Sequence, residues 1–281
     1  MRWWGKLLFG AGLAGATSLL VRDRSAAARA LTAGASVALP WLLDGAYQAT
    51  KGPEAVLVFV SDTHGSAESN AALVAKLQSE AAVDAWIHGG DVVDGELGAD
   101  IWRRWWDVPF RPVLGGAPWY AAEGNHDETE GTLQEFEERF GSLPRVVRVG
   151  TVDVFLLPWG HGQAVAAWLA RRVEASTARW RVLVAHEPLW VAQEGHADDL
   201  DAIEWLRPAL RKIDLVLSGH EHVRAVLQRE VDGHPIRQVI EVSGPKKYRC
   251  GAAPECVADQ TGYTRIVAYD DELRLDRMVV P

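Results

Sequence analysis

The sequence predicts an α/β domain over residues 51–281, preceded by a short hydrophobic helical segment over residues 1–50. Three observations carry this prediction. Residues 56–60 (VLVFV) form a short apolar run rich in β-branched side chains that stops at Ser61-Asp62-Thr63-His64-Gly65, the pattern of a fully buried strand bounded by turn residues. Four more strands are predicted at 85–88, 118–122, 181–185 and 214–217, separated by stretches with helical spacing. Each of the five leads into a residue able to hold a metal ion. Ligand sites in open α/β sheets gather outside the carboxyl ends of strands, so five such ends can converge on one crevice.

At the N-terminus, Arg2, Trp3, Trp4 and Lys6 precede an uncharged run over residues 7–21, and a second runs over 30–43 after Arg22, Asp23, Arg24 and Arg29. A spanning helix needs about 20 apolar residues, and both runs are shorter. The segment reads in three ways: a secretory signal or signal anchor, a helical hairpin in the bilayer, or amphiphilic helices packed on the domain. Small-residue cleavage motifs stand at 26–28 and 28–30, and no twin-arginine pair precedes the first run. Basic residues flank residues 7–21 on both sides, so charge gives no orientation. Membrane association through residues 7–43 is one expectation, with export or a membrane-bound, extracytoplasmic domain favoured over a cytoplasmic one.

Residues 49–53 make the linker, where Gly52-Pro53 punctuates before the first strand. Residues 68–82 set Leu73, Val74 and Leu77 on one helical face. Residues 97–106 predict a helix that turns Trp102, Trp105 and Trp106 to the core and Arg103 and Arg104 to solvent or the cleft mouth. An acidic amphipathic helix over 132–140 stops at Gly141. Residues 146–149 and 152–157 pair about Gly150-Thr151, and helices over 163–174 and 198–212 follow. Hairpins are predicted for 224–231 with 235–242, about the tight-turn pair Asp232-Gly233, and for 264–269 with 273–280. His161, His196 and His234 stand alone and read as surface groups. His88, inside a strand, reads as a buried histidine with its own hydrogen bonds.

The chemistry lies at the strand ends. Asp62 and His64 sit two apart, which in extended backbone points both to one side, and a carboxylate beside an imidazole suits a divalent metal. The remaining ends carry Gly90-Asp91-Val92-Val93-Asp94, Gly124-Asn125-His126-Asp127, His186 and Gly219-His220-Glu221-His222. Together the blocks D-x-H, G-D-x-x-D, G-N-H-D, H and G-H-x-H resemble the calcineurin-like metallophosphoesterase family, over roughly residues 55–223 and in the family's order.

The resemblance implies a sandwich of two mixed β-sheets flanked by helices and a dinuclear metal centre of two divalent ions of the Mn, Fe or Zn type. It assigns Asp62, His64 and His222 to one ion and Asn125, His186 and His220 to the other, with Asp91 bridging. It makes His126 the catalytic histidine, with Asp127 orienting it; Asp94 reads as structural. The implied activity is hydrolysis of phosphomonoesters or phosphodiesters by metal-activated water, with a phosphate ester as substrate. Gly95 and the block GNHD depart from the family's protein phosphatases, Asp94 stands where its purple acid phosphatases have tyrosine, and His126 stands where its lipid A precursor hydrolases have arginine. A non-catalytic metal-binding scaffold and a nuclease are the competing readings.

Net charge is −9, and no lysine or arginine run offers a footprint for nucleic acid, so no nucleic-acid partner is expected. Of the 13 tryptophans most are expected in the core, with some lining a cleft or a rim. Cys250 and Cys256 are the only two cysteines; they either stay separate thiols or close a small loop. A bridged pair is the expectation, and it would place the domain in an oxidising compartment.

Overall fold

The computed structural model describes residues 52–94, 100–127 and 133–281. The expected N-terminal segment lies outside the described residues. Among those described, no helix is long and apolar enough to cross a membrane.

The first strand, β1 (Ala55–Val60), shows how the domain is layered. All six residues are buried. Alternate side chains leave opposite faces of a strand, and here Leu57 and Phe59 enter one apolar cluster while Val58 and Val60 enter another. A strand covered on both faces has no polar alternation, which is why this one reads as an unbroken apolar run. β1 pairs in parallel with β2 (Ala85–His88), which pairs in parallel with β3 (Trp119–Ala121). On its other edge β1 pairs antiparallel with β10 (Thr261–Ala268), itself antiparallel to β11 (Leu273–Val280). The second sheet runs β4 (Arg145–Val149), β5 (Val152–Leu156), β6 (Trp180–Val184), β7 (Leu215–Ser218), β9 (His234–Ile240) and β8 (Ala225–Val231). Its four inner strands are parallel and its two edge strands antiparallel.

Both sheets contribute to one central core, where Leu57, Phe59 and Ile266 meet Val154, Val182 and Leu215. The outer face of the second sheet is covered by α4 (Gln163–Ala175) and α5 (Leu200–Leu210), through residues such as Leu169 and Leu206. The first sheet's outer face carries α1 (Ala71–Gln78), α2 (Arg111–Leu114), α3 (Leu133–Phe140) and an aromatic cluster of Trp102, Trp106, Phe110, Phe136 and Phe140. The expected sandwich of two mixed sheets flanked by helices is therefore the observed fold. The hairpin turn is also as read: Asp232 and Gly233 both take positive φ, 52° and 82°, which the tightest hairpin turn requires.

Two helices differ from expectation. The helix expected over 68–82 is confined to Ala71–Gln78. Residues Trp102–Asp107 wind as a π-helical turn, in which Val108 N–H donates to Arg103 O five residues back. The wider turn brings Trp102 and Trp106 onto the same inward face, leaving Arg103 and Arg104 exposed.

One ion pair links the sheets. The guanidinium of Arg224, just before β8, meets the carboxylate of Glu241, just after β9, and both are buried. Across the core, Thr264 Oγ1 donates to Glu241 at 2.9 Å and Arg224 Nη2 donates to Met278 O at 2.9 Å. Removing one partner of a buried pair strands the other charge. Arg224→Ala should therefore lower stability by about 3–5 kcal/mol, read from urea unfolding.

Candidate metal centre

The five strand ends do meet. After β1 come Asp62, fully buried, and His64; after β2 comes Asp91; the turn after β3 carries Asn125 and His126; His186 follows β6, and His220 and His222 follow β7. Ligand atoms of Asp62, His64, Asp91 and His222 all lie within 4.8 Å of one another. On its other side Asp91 Oδ2 is 3.3 Å from His186 Nε2. The ring of His186 is 5.2 Å from that of His220, whose Nδ1 is 3.1 Å from Asn125 Oδ1.

The backbone achieves this convergence in a way the sequence reading did not foresee. Asp62 and His64 do not share a side through extended backbone. Asp62, Asp91, His220 and His222 all have positive φ, between 50° and 66°, a left-handed conformation that non-glycine residues rarely adopt. Such strain persists only where surrounding contacts over-determine it, and here they do. Asp62 N–H donates to Gly90 O at 3.1 Å and His64 N–H to Asp91 O at 3.2 Å. His220 N–H donates to Asp62 Oδ1 at 3.0 Å, and His126 N–H to Asp91 Oδ1 at 2.9 Å. The turns are thus tied to each other's carboxylates. Two motif glycines are required for the same reason. A Cβ on Gly124 would strike the Asp91 carboxylate, and one on Gly219 would strike Ser61 and the Asp62 carboxylate.

The electrostatics fit a bound cation. Burial, with Asp91 beside it, pushes the Asp62 carboxyl up to about 7. Burial pulls His64 and His220 down to about 4 and His222 to about 3, so these imidazoles stay neutral at pH 7 with a lone pair to offer. His64 Nε2 is buried without a hydrogen-bond partner. His186 goes the other way: burial opposes its charge, but Asp91 and Asp62 outweigh burial and lift it to about 10. In the protein alone, positive charge is thus drawn to the position beside Asp91. Carboxylate, amide oxygen and imidazole donors without thiolate suit a divalent ion of the Mn, Fe or Zn type; the only two cysteines are bonded to each other.

The sequence profile of the calcineurin-like phosphoesterase family matches residues 55–224, more than half of the chain. The chain belongs to this family. A sequence comparison with curated proteins finds no match. Solved structures that share the fold include the following three. PhoD is 13% identical, with a TM-score of 0.59 over 81% of this chain and 69% of its own. A dimetal phosphatase from Danio rerio is 12% identical, with a TM-score of 0.56 over 82% and 97%. GAP50, described as the anchor in the inner membrane complex of Plasmodium, is 11% identical, with a TM-score of 0.57 over 81% and 89%. At these identities the likeness is one of fold.

Other residues of this family member differ from what the sequence suggested. Asp127 was expected to orient His126, but its two oxygens accept from the backbone N–H groups of Val92, Val93 and Gly124 at 2.9, 3.2 and 3.0 Å. It ties the turn after β3 to the turn after β2. Asp94, read as structural, lies 3.4 Å from His126 Nδ1. The masking of one role by another follows from the turn: adjacent residues diverge, so Asp127 faces inward while His126 faces the cavity. His196 is not a plain surface group, since its Nδ1 is 3.6 Å from Glu221 Oε1 and its ring is 6.3 Å from that of His220. His234 Nε2 donates to Ile213 O at 2.8 Å. His161 is largely enclosed, and burial lowers its pKa. His88 is the satisfied buried histidine it was read to be, between Thr63 Oγ1 at 2.9 Å and Gly90 N–H at 3.1 Å. Trp159, one of the tryptophans open to a cleft role, lies 5.5 Å from His220 and 5.8 Å from His186. Asp94 and Glu221 lie inside motif blocks, but nothing local told their roles or marked His196; only the fold brings their contacts to view.

Gly219→Ala tests the packing directly. Forcing a methyl against Ser61 and Asp62 should cost about 1–3 kcal/mol, the usual penalty of overpacking, and cut bound metal in elemental analysis. Gly115→Ala, where a Cβ meets nothing within 4 Å, should leave both unchanged.

Proposed function

We propose that the chain is a dinuclear metal-dependent phosphoesterase. The observation that carries this reading is the position of Asp91, whose carboxylate stands between the Asp62–His64–His222 cluster and His186. One buried carboxylate with ligands on both sides is what a shared metal pair needs. When bound, two divalent ions supply a water nucleophile of lowered pKa and neutralise the phosphoryl oxygens. Asp62, His64 and His222 would hold one ion and Asn125, His186 and His220 the other, with Asp91 available to both.

His126 is the group left over for proton transfer. Its backbone is pinned to Asp91, its ring is 4.8 Å from that of His64, and its side chain lines the cavity. It donates a proton to the departing alkoxide, and Asp94, 3.4 Å away, stabilises the imidazolium that does so. Asp127 serves by holding the two turns in register. The alternatives make different use of the same residues: a scaffold has no need of a half-buried, cavity-lining histidine beside a carboxylate. A nuclease needs a basic groove that a chain of net charge −9 with no basic run does not supply.

The compartment belongs to the same proposal. Cys250 and Cys256 are bonded, with Cα atoms 5.8 Å apart, and such bonds persist outside reducing cytoplasm. An exported or membrane-held enzyme facing an oxidising space is the reading this supports. Thiol labelling of protein taken from its own host should then find no free thiol; two reactive thiols before reduction would overturn it.

Asp91→Ala should abolish binding of both ions, and retention of two metal equivalents in the purified variant would sink the shared role. His126→Ala should keep the metal and slow hydrolysis of an alkyl phosphate by about 10²–10⁴-fold, the contribution of a positioned general acid. p-Nitrophenyl phosphate, with its good leaving group, should suffer less. Equal losses on both would replace proton donation by charge stabilisation, and no loss on either would remove His126 from the reaction.

A further inference from the structure

The cavity above the cluster has a second wall that the reaction just described does not use. It is built from residues 191–196, after β6, and residues 245–251, after β9. Glu194 N–H donates to Arg249 O at 3.0 Å and Gly251 N–H to Ala192 O at 2.6 Å, and Gln193 and Cys250 pair as an antiparallel bridge. Buried Glu221 accepts from the N–H groups of Ala192 and Gln193 at 2.7 and 3.1 Å, and the Cys250–Cys256 bond closes the loop behind. This wall is fastened to the cluster itself: His222 Nδ1 donates to Lys246 O at 3.0 Å, and Tyr248 N–H donates to His222 O at 3.1 Å. It is a fixed rim, held by main-chain bonds.

Lys246 is the basic residue of that rim that lines the cavity. Its ammonium stands 5.3 Å from the centre of the Tyr248 ring, and among the described residues no carboxylate pairs with it. The cavity is small, about 250 Å³, and Lys246 shares it with Asp91, Asn125 and His126.

We infer that Lys246 is a specificity-determining residue that selects phosphomonoesters over phosphodiesters. The inference rests on the phosphoesterase reading above and names its substrate class. A monoester has a second pKa of about 6, so at neutral pH it carries nearly two negative charges and a free terminal oxygen more than a diester. With two of its oxygens drawn to the cluster, the third faces the rim, where an ammonium forms a charge-assisted hydrogen bond. A diester puts an ester oxygen and its carbon substituent there, halving the charge and leaving the ammonium without that partner.

The experiment compares wild type, Lys246→Ala, Lys246→Arg and Lys247→Ala, each loaded with the same metal and checked for metal content. Kinetics are measured on p-nitrophenyl phosphate and bis-p-nitrophenyl phosphate, and binding of inorganic phosphate by calorimetry. Lys246→Ala should lower kcat/KM on the monoester about tenfold or more, the usual worth of a hydrogen bond to a charged group, mainly through KM. The diester value should change much less, phosphate should bind about tenfold more weakly, and Lys246→Arg should restore part of both losses. Lys247, whose ammonium donates to Asp259 O at 3.3 Å, controls for charge alone, and its alanine variant should match wild type. Equal losses on both esters, or unchanged phosphate binding, would overturn the assignment. If wild type hydrolyses neither ester with any metal, the phosphoesterase reading fails, and phosphate binding still decides the role of Lys246.

Discussion

Two carboxylates, Asp62 and Asp91, lie buried against one another at the head of the sandwich, and the rest of the molecule answers the free energy of keeping them there. A buried carboxylate is tolerated only with hydrogen bonds and compensating positive charge. The hydrogen bonds come from the turns: His220 N–H reaches Asp62, and His126 N–H reaches Asp91. In the protein alone the charge comes from His186, whose proton is held by Asp91 and Asp62. A divalent ion meets the same demand with more charge, which is why the donor set and the site's electrostatics point to one conclusion.

The fold makes that geometry affordable by spreading its strain. Four candidate ligands hold left-handed backbone, and each lies two to four residues beyond a strand locked in a sheet. Strand ends are the stiffest points from which a loop can start, so a strained residue there is held by pairing on one side and by turn-to-turn bonds on the other. The Arg224–Glu241 pair extends this rigidity across the interior. It begins two residues past His222 and joins both sheets through Thr264 and Met278. Asp127 does the equivalent work between the turns after β2 and β3.

Much of this was legible in the amino-acid order. The buried run 56–60, the Asp232-Gly233 hairpin and the outer helices followed from periodicity and turn chemistry, because those are properties of a chain and its immediate neighbours. The grouping of Asp62, His64, Asp91 and His222 was legible too, since they follow three recognisable strands. The π-helical turn at Trp102–Asp107 was not, for packing of Trp102 and Trp106 into the aromatic cluster decides it, not local spacing.

The sequence by itself determined which elements form and which residues arrive at the carboxyl ends of the strands, because burial pattern and strand termini are encoded within a few residues. Tertiary structure alone decided what each residue does on arrival. Asp94 and Asp127 are both acids that close a motif, yet one lies beside His126 and the other accepts from three backbone N–H groups. His196 and Lys246 carry no local signal, and they reach the cavity because residues 191–196 and 245–251 pair across it. The direction of a side chain past a strand depends on backbone angles set by contacts between distant turns, and no local pattern records those.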